Sequence, residues 1–337
     1  MTQPELERTE APARVLARVR AVADPRASVE LFGSSVYAPA HAEDVDVLVS
    51  EDDAARLAAA LGLTLIPTLP PRIYGTLDGT RVDITVVTGD DDLARRRRAG
   101  PRDAALLAAL LAEHGRDEVF QAAWPHVRRF VRARALGHNG LGWFGSFGWA
   151  LLLAVPLVID RELREATPGA TVPAWLRWLA RLAPGARIGF DGIRAGDPEP
   201  LYLVAPAPPA RDVARLTKRA AAVLFGEARA AAKAIGDATT DAGALDRIAD
   251  LAADPPAGTT LVIAGDDEHT RGRYDGVARG LVRELEALGA VRSWGRFDLA
   301  GDGSWQHRIT VPPHRAQSAR DRITDWLALN SIDAGLA

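Results

Sequence analysis

Residues 44–50 read Asp-Val-Asp-Val-Leu-Val-Ser, and this alternation constrains the fold more than any other part of the chain. In an extended strand successive side chains leave on opposite faces. Val45, Val47 and Val49 therefore share one face, while Asp44, Asp46 and Leu48 share the other. The valine face must be covered by apolar elements, whereas ionised carboxylates are costly to bury without partners. Such a strand belongs in a sheet with one packed face and one face carrying two carboxylates side by side. Alternating aspartates alone suit a solvated strand face equally well. Two further features point to a site.

The first is a Gly33-Ser34 turn, separated from Asp44 by nine residues and preceded by a short strand pattern over 28–32. Glycine permits a sharp turn and lets a phosphate approach the backbone closely. Ser34 adds a hydroxyl, and the N–H groups of a turn or helix start beyond it suit a triphosphate. The second is Asp83 in Arg-Val-Asp-Ile-Thr-Val-Val, a third carboxylate on an apolar strand downstream. Carboxylates are hard oxygen donors, and the chain has no cysteine and seven scattered histidines. Metal chemistry here rests on oxygen, which selects Mg2+ or Mn2+. Asp44, Asp46 and Asp83 are thus the candidate catalytic and metal-binding residues, and Gly33 and Ser34 the candidate nucleotide-binding turn.

Hydrophobic periodicity organises the rest. A helix is predicted over 4–23, another over 52–61, and strands over 63–68, 72–77 and 81–88, the last two joined by an Asp78-Gly79 turn. Strands with few helices indicate an α+β catalytic domain over 1–98. A helical pattern starts at Pro101 and runs to Ile159, with further helices over 173–182 and 211–235, giving a helical central domain over 99–253. After the Asp-Pro-Pro-Ala-Gly linker at 254–258, the order is strand 259–264, helix 274–288, strand 290–299, strand 304–311, helix 316–329. This β-α-β-β-α run over 256–337 suggests a ferredoxin-like or RNA-recognition-motif-like sandwich.

Net charge is −3, so affinity for nucleic acid must come from local basic surfaces. Residues 95–140 hold ten arginines against four acidic residues, including Arg95–Arg98 and Arg128, Arg129, Arg132 and Arg134. Such a stripe attracts triphosphate and RNA backbone, although charge runs are commonly solvated helix faces. The C-terminal unit is less basic, with ten arginines and eleven acidic residues, and its strands lack the paired aromatics that stack RNA bases. It binds backbone weakly or only braces the other domains. Only two lysines occur, and arginine, alanine, glycine and proline abound, a bias that resembles drift in a GC-rich bacterial genome. The start, MTQPELERTE, shows no signal-peptide pattern. The apolar stretch 141–159 is broken by glycines and Pro156 and fits a buried core helix rather than a membrane span. A cytoplasmic protein without membrane partners is expected.

Phe32-Gly33-Ser34 followed by Asp44-Val45-Asp46-Val47 resembles the signature of the DNA-polymerase-β-like nucleotidyltransferase superfamily. Residues 117–158 look like the central segment of eukaryotic-type poly(A) polymerases, where a helix leads into an Asn-X-X-Gly-aromatic-X-Gly-Gly-X-X-Trp-Ala turn. Asn139, Gly142, Trp143, Gly145, Ser146, Trp149 and Ala150 stand in those places. The segment around Asp83 is similar to the same family, and 210–219 resembles a segment shared with archaeal CCA-adding enzymes. The resemblance implies a polymerase-β-like palm domain, with Asn139 on the nucleotide ribose and Gly145, Ser146 and Phe147 lining the base-binding turn. It also places Arg128 where the family has a phosphate-contacting lysine. The family's base-stacking tyrosine aligns with Gly137, its second glycine with Ser146 and its small apolar residue with Phe147, so base selectivity stays open. His138, Trp143 or Phe147 would supply stacking instead.

The expected activity is template-independent transfer of a nucleotide from ATP or another nucleoside triphosphate to an RNA 3′ end, poly(A) polymerase-like and metal-dependent. CCA addition to tRNA, synthesis of a small oligonucleotide signal, and a catalytically silent RNA-binding scaffold are the alternatives.

Overall fold

The structure, a computed structural model, describes residues 3–66, 70–134, 136–137, 143–182, 185–195, 201–206, 211–244, 258–288, 292–294 and 304–336. The N-terminal part runs α1 (Gln3–Arg20), β1 (Ser28–Phe32), α2 (Ser34–Tyr37), β2 (Val45–Ser50), α3 (Ala54–Leu61), β3 (Thr64–Ile66), β4 (Arg72–Leu77) and β5 (Thr80–Val87). Its five strands form one mixed sheet in the order β1-β2-β5-β4-β3. Val45, Val47 and Val49 are buried with Val29, Ile73, Val82, Ile84 and Val86 beneath Val15 and Val19 of α1 and Leu57 of α3. The alternation that reads off 44–50 is thus realised, and the helices lie on the valine face. Asp53 caps α3 by accepting from the Ala55 and Arg56 N–H groups, and Gly62 ends it in the left-handed region. The β4–β5 hairpin turns at Asp78 and Gly79, both at positive φ (48° and 78°), as a two-residue turn requires.

The opposite face of the sheet is closed at one end by α4 (Asp92–Glu113), whose Ala94 packs with Leu48, Val87 and Phe32. Pro101, where the sequence pattern starts the helical region, instead lies inside this helix. Asp91 accepts from the Ala94 N–H and starts the helix a full two turns earlier. α4 therefore crosses the boundary expected between residues 98 and 99.

Then come α5 (Asp117–Ala133), α6 (Ser146–Ile159), α7 (Arg161–Glu165) and α8 (Thr171–Arg181). The apolar stretch is buried along α6, as core, and no described helix is long and apolar enough to cross a membrane. Besides its helices the centre holds strands the sequence pattern does not show: β6 (Ala186–Gly189), β7 (Gly192–Ala195), β8 (Tyr202–Val204) and β9 (Asp212–Arg215), a four-stranded sheet in the order β7-β6-β8-β9. Strands of three or four residues are too short to show a period, which hides them from pattern reading. The helix predicted over 211–235 accordingly shrinks to α9 (Lys218–Ile235), capped by Thr217.

The last part contains β10 (Thr259–Gly265), α10 (Glu268–Ala287), β11 (Arg292–Trp294), β12 (Trp305–Val311), α11 (Ala316–Leu329) and β13 (Gly335–Leu336), with sheet order β11-β12-β10-β13. The final strand extends the predicted run to β-α-β-β-α-β, and residues 295–299 of the predicted strand 290–299 lie outside the described residues. Leu261, Ile263, Tyr274, Trp305 and Ile323 share one continuous core with Trp124, Trp175 and Phe225 of the middle of the chain. The Thr217 hydroxyl adds a hydrogen bond to Glu286 at 2.8 Å.

Candidate active site

β2 and β5 pair in parallel with Asp46 and Asp83 as direct Cα partners, so both carboxylates rise from the same face. Asp44 immediately precedes β2 and stands close enough to Asp46 to raise its pKa. Desolvation is the larger cause, Asp44 the second, and Arg72 opposes both; the result for Asp46 is about 7. Across β1, Phe32 is the register partner of Asp46, which brings the Gly33 turn against the same carboxylate. Gly33 has φ 67°, and a Cβ there would overlap the Asp46 side chain. Ser34 is buried as the first residue of the four-residue α2, and the neighbouring Ser35 hydroxyl closes the turn onto the Phe32 carbonyl at 2.7 Å.

Asp83 is buried and bonded through both oxygens to the Arg72 guanidinium, with Nε donating to Oδ1 at 3.0 Å and Nη2 donating to Oδ2. Among the described residues, no three carboxylate or imidazole groups stand ready to hold one ion. The donors nonetheless suit a hard divalent cation. Asp46 is half-buried beside a second carboxylate and accepts no hydrogen bond from a described residue. A divalent cation neutralises that kind of like-charge pair. Asp44 and Asp46 would hold it, and Asp83 would complete the set once released by Arg72.

Between α5 and the start of α6, a cavity of about 150 Å³ is lined by Trp124, Arg128, Arg132, Gly137, Ser146 and Trp149, and none of the three carboxylates lines it. Arg128 donates to the His41 carbonyl at 2.8 Å and pairs with Glu43 at 2.8 Å. Arg132 also bonds Glu43. Desolvation pushes the Glu43 carboxyl up, but Arg132 and Arg128 outweigh it and hold the group below the usual range. Because Glu43 adjoins Asp44, this clamp ties α5 to the start of the carboxylate strand. Gly145 is the N-cap of α6, and Phe147 packs on Tyr37 with ring centroids 6.1 Å apart. Tyr37, stacked edge-on against Phe120 and Trp124, is fully buried, which raises its hydroxyl pKa, with Ser146 within reach. Of the expected nucleotide-binding residues, Arg128 and Ser146 therefore meet at one cavity, and Gly145 and Phe147 are the sequence neighbours of Ser146. Asn139, His138 and Gly142 lie outside the described residues.

The expected basic stripe is largely spent within the molecule. Arg95 and Arg98 pair with Asp90, Arg96 with Asp92, Arg98 also with Glu51, and Arg134 with the buried Glu227. Pattern reading missed Glu43, Tyr37 and Arg72. For Arg72 a signal existed: the two-residue turn at 78–79 sets the hairpin register and brings residue 72 diagonally next to 83.

No protein-family model matches the chain, and no curated protein sequence matches it. Solved structures do. Terminal uridylyl transferase 4 from Trypanosoma brucei with bound UPU superposes with a TM-score of 0.50 at 16% identity, covering 73% of this chain and 100% of that one. The Cid1 poly(U) polymerase with MgGTP gives 0.50 at 14% identity, covering 73% and 94%. The chain has the nucleotidyltransferase fold.

Proposed function

We propose that the protein is a template-independent nucleotidyltransferase that adds nucleotides to an RNA 3′ end, with Asp44, Asp46 and Asp83 as its catalytic carboxylates. The observation that carries this is the Asp46–Asp83 register across β2 and β5, with Asp44 beside them and a Gly-Ser turn against Asp46. The fold shared with transferases solved with an oligonucleotide and with a magnesium nucleotide supports the same chemistry.

A divalent metal bound at the carboxylates supplies Lewis-acid activation of the attacking hydroxyl and offsets charge on the leaving pyrophosphate. Asp44 and Asp46 orient the triphosphate-bearing side of the site, and Gly33 leaves room for a phosphate against the turn. Arg128, held by Glu43 and the His41 carbonyl, offers its guanidinium to the phosphates at the cavity mouth. The family resemblance assigns Asn139, Gly145, Ser146 and Phe147 to the nucleoside, and of these Ser146 lines that cavity. The acceptor's 3′-oxygen bonds to the α-phosphorus, the α–β bridging bond breaks, and Asp83 takes up the hydroxyl proton. In the proposed arrangement residues 1–98 are the palm, 99–253 the nucleotide- and RNA-binding centre, with α4 continuous across that boundary, and 256–337 a ferredoxin-like brace, as in poly(A) polymerases.

The test is extension of a labelled oligoribonucleotide with Mg2+ or Mn2+ and each nucleoside triphosphate separately. Growth of the RNA, abolished by Asp83→Ala, is the expected result. Incorporation of CTP and ATP restricted to tRNA ends would assign CCA addition. Products formed without a primer would assign a signal synthase, and RNA binding with no incorporation would leave only a scaffold.

A further inference from the structure

Beyond the carboxylates, on the side of the sheet away from Gly33, lies a second cluster. Tyr74 of β4 is the direct register partner of Asp83, and Arg72 is the partner of Thr85, so both side chains share the carboxylate face. Tyr74 is half-exposed, and Arg81 lies 5.7 Å from its ring centroid while donating to its hydroxyl. Arg72 is 48% exposed even while bonded to Asp83. Arg97 follows Ala94 by one helical turn on α4, and Ala94 is the residue that packs on this face. Unlike Arg95, Arg96 and Arg98, Arg97 forms no hydrogen bond or ion pair with a described residue. Its pKa is lowered, first by desolvation and then by the positive charge of Arg72, to which Arg97 lies close.

We infer that Arg72, Arg97 and Tyr74 hold the 3′-terminal nucleotide of a single-stranded acceptor, the arginines on its phosphodiester and the tyrosine ring against its base. Single-strand binding needs these two parts, a cationic contact to the backbone and an aromatic platform. The position separates this anion from the triphosphate. Gly33 ends β1, and Arg72 on β4 is three strand spacings away, roughly 14 Å at about 4.8 Å per strand. An arriving phosphodiester also competes with Asp83 for the Arg72 fork, since guanidinium binds both anions in the same bidentate manner. Seating the acceptor therefore frees Asp83 to join Asp44 and Asp46, and the metal set is completed only when the acceptor is in place.

The inference rests on the nucleotidyltransferase reading, so wild-type extension activity is measured in parallel; its absence would fail that reading, not the acceptor subsite alone. Binding of a 5′-fluorescein oligoribonucleotide is followed by anisotropy without nucleotide or metal, across a salt series. Arg97→Ala is expected to weaken binding about tenfold and to lower the salt slope by about one, with Arg97→Lys restoring both. Tyr74→Leu is expected to weaken binding about tenfold with the salt slope unchanged. Affinity for the free nucleoside triphosphate stays the same in both variants. In wild type, Mn2+ binding followed by electron paramagnetic resonance tightens when the oligoribonucleotide is present; in Arg72→Gln it is tight without it. Unchanged RNA affinity in Arg97→Ala and Tyr74→Leu would overturn the subsite. So would a loss of triphosphate affinity with RNA affinity retained, and Mn2+ binding indifferent to RNA in wild type would overturn the release of Asp83.

Discussion

Asp46 and Asp83 are direct partners across the parallel pairing of β2 and β5, yet only one of them is neutralised. Asp83 is forked onto Arg72, whereas Asp46 faces Asp44 with its pKa raised to about 7. Two strands separated by a helix and a hairpin thus deliver three carboxylates to one face in unequal electrostatic states.

Replacing any one of the three should remove activity without unfolding the protein. Asp44→Ala, Asp46→Ala and Asp83→Ala are each expected to lower metal-dependent RNA extension by on the order of 100-fold or more. The thermal midpoint should stay within a few degrees of wild type. Retained extension in any of them would remove that residue from the catalytic set.

The raised pKa of Asp46 has a definite sign. A carboxyl near 7 in the folded state and about 4 in the unfolded chain binds more proton when folded, so metal-free stability falls as pH rises through that window. Above pH 7 the full penalty of the ionised group is present; below about 4 it is absent. Asp46→Asn should stabilise the metal-free protein at pH 8, by at most about 4 kcal/mol for roughly three pK units at about 1.4 kcal/mol each, and have little effect at pH 4. Thermal melts at the two pH values check this, and equal effects at both would contradict the shift. Metal binding, which needs the ionised carboxylate, should weaken as pH falls below 7.

At position 33 the constraint is both conformational and steric. With φ 67° and the Asp46 carboxylate where a Cβ would go, Gly33→Ala is expected to cost roughly 1–3 kcal/mol and to displace Asp46. Denaturant unfolding should show a lower midpoint, and extension activity should fall by at least tenfold, a larger loss than the stability change alone produces.

Arg134 behaves as a structural residue. It follows α5 and pairs with Glu227 of α9 at 2.5 Å, both side chains about nine-tenths buried. Glu227→Ala leaves a buried guanidinium short of its carboxylate and should destabilise the fold by roughly 3–5 kcal/mol. The salt dependence of RNA binding should not change. In Arg134→Ala, a salt slope lowered by about one with normal stability would instead place Arg134 on the RNA.

Much of this was legible in the chain itself. The period of two over 44–50 determined which side chains are core and which are acidic, because a strand offers only two faces. Asp78-Gly79 determined the β4–β5 register, since a two-residue turn leaves no slack. The apolar run over 141–159 implied a buried core helix, which the structure forms over Ser146–Ile159. What tertiary structure alone decided is which distant segments meet. The parallel register of Asp46 with Asp83 depends on a crossover whose length does not encode alignment. The four short strands between 186 and 215 exist only because they pair with one another. The fate of each arginine was settled the same way: sequence supplies a stripe of positive charge, but packing determines that Arg134 is tied inside, Arg128 and Arg132 clamp Glu43, and Arg72 covers Asp83. Charge is a property of the residue, whereas its partner is a property of the fold, because opposite charges from far-apart segments are matched only once the backbone brings them within a few ångströms.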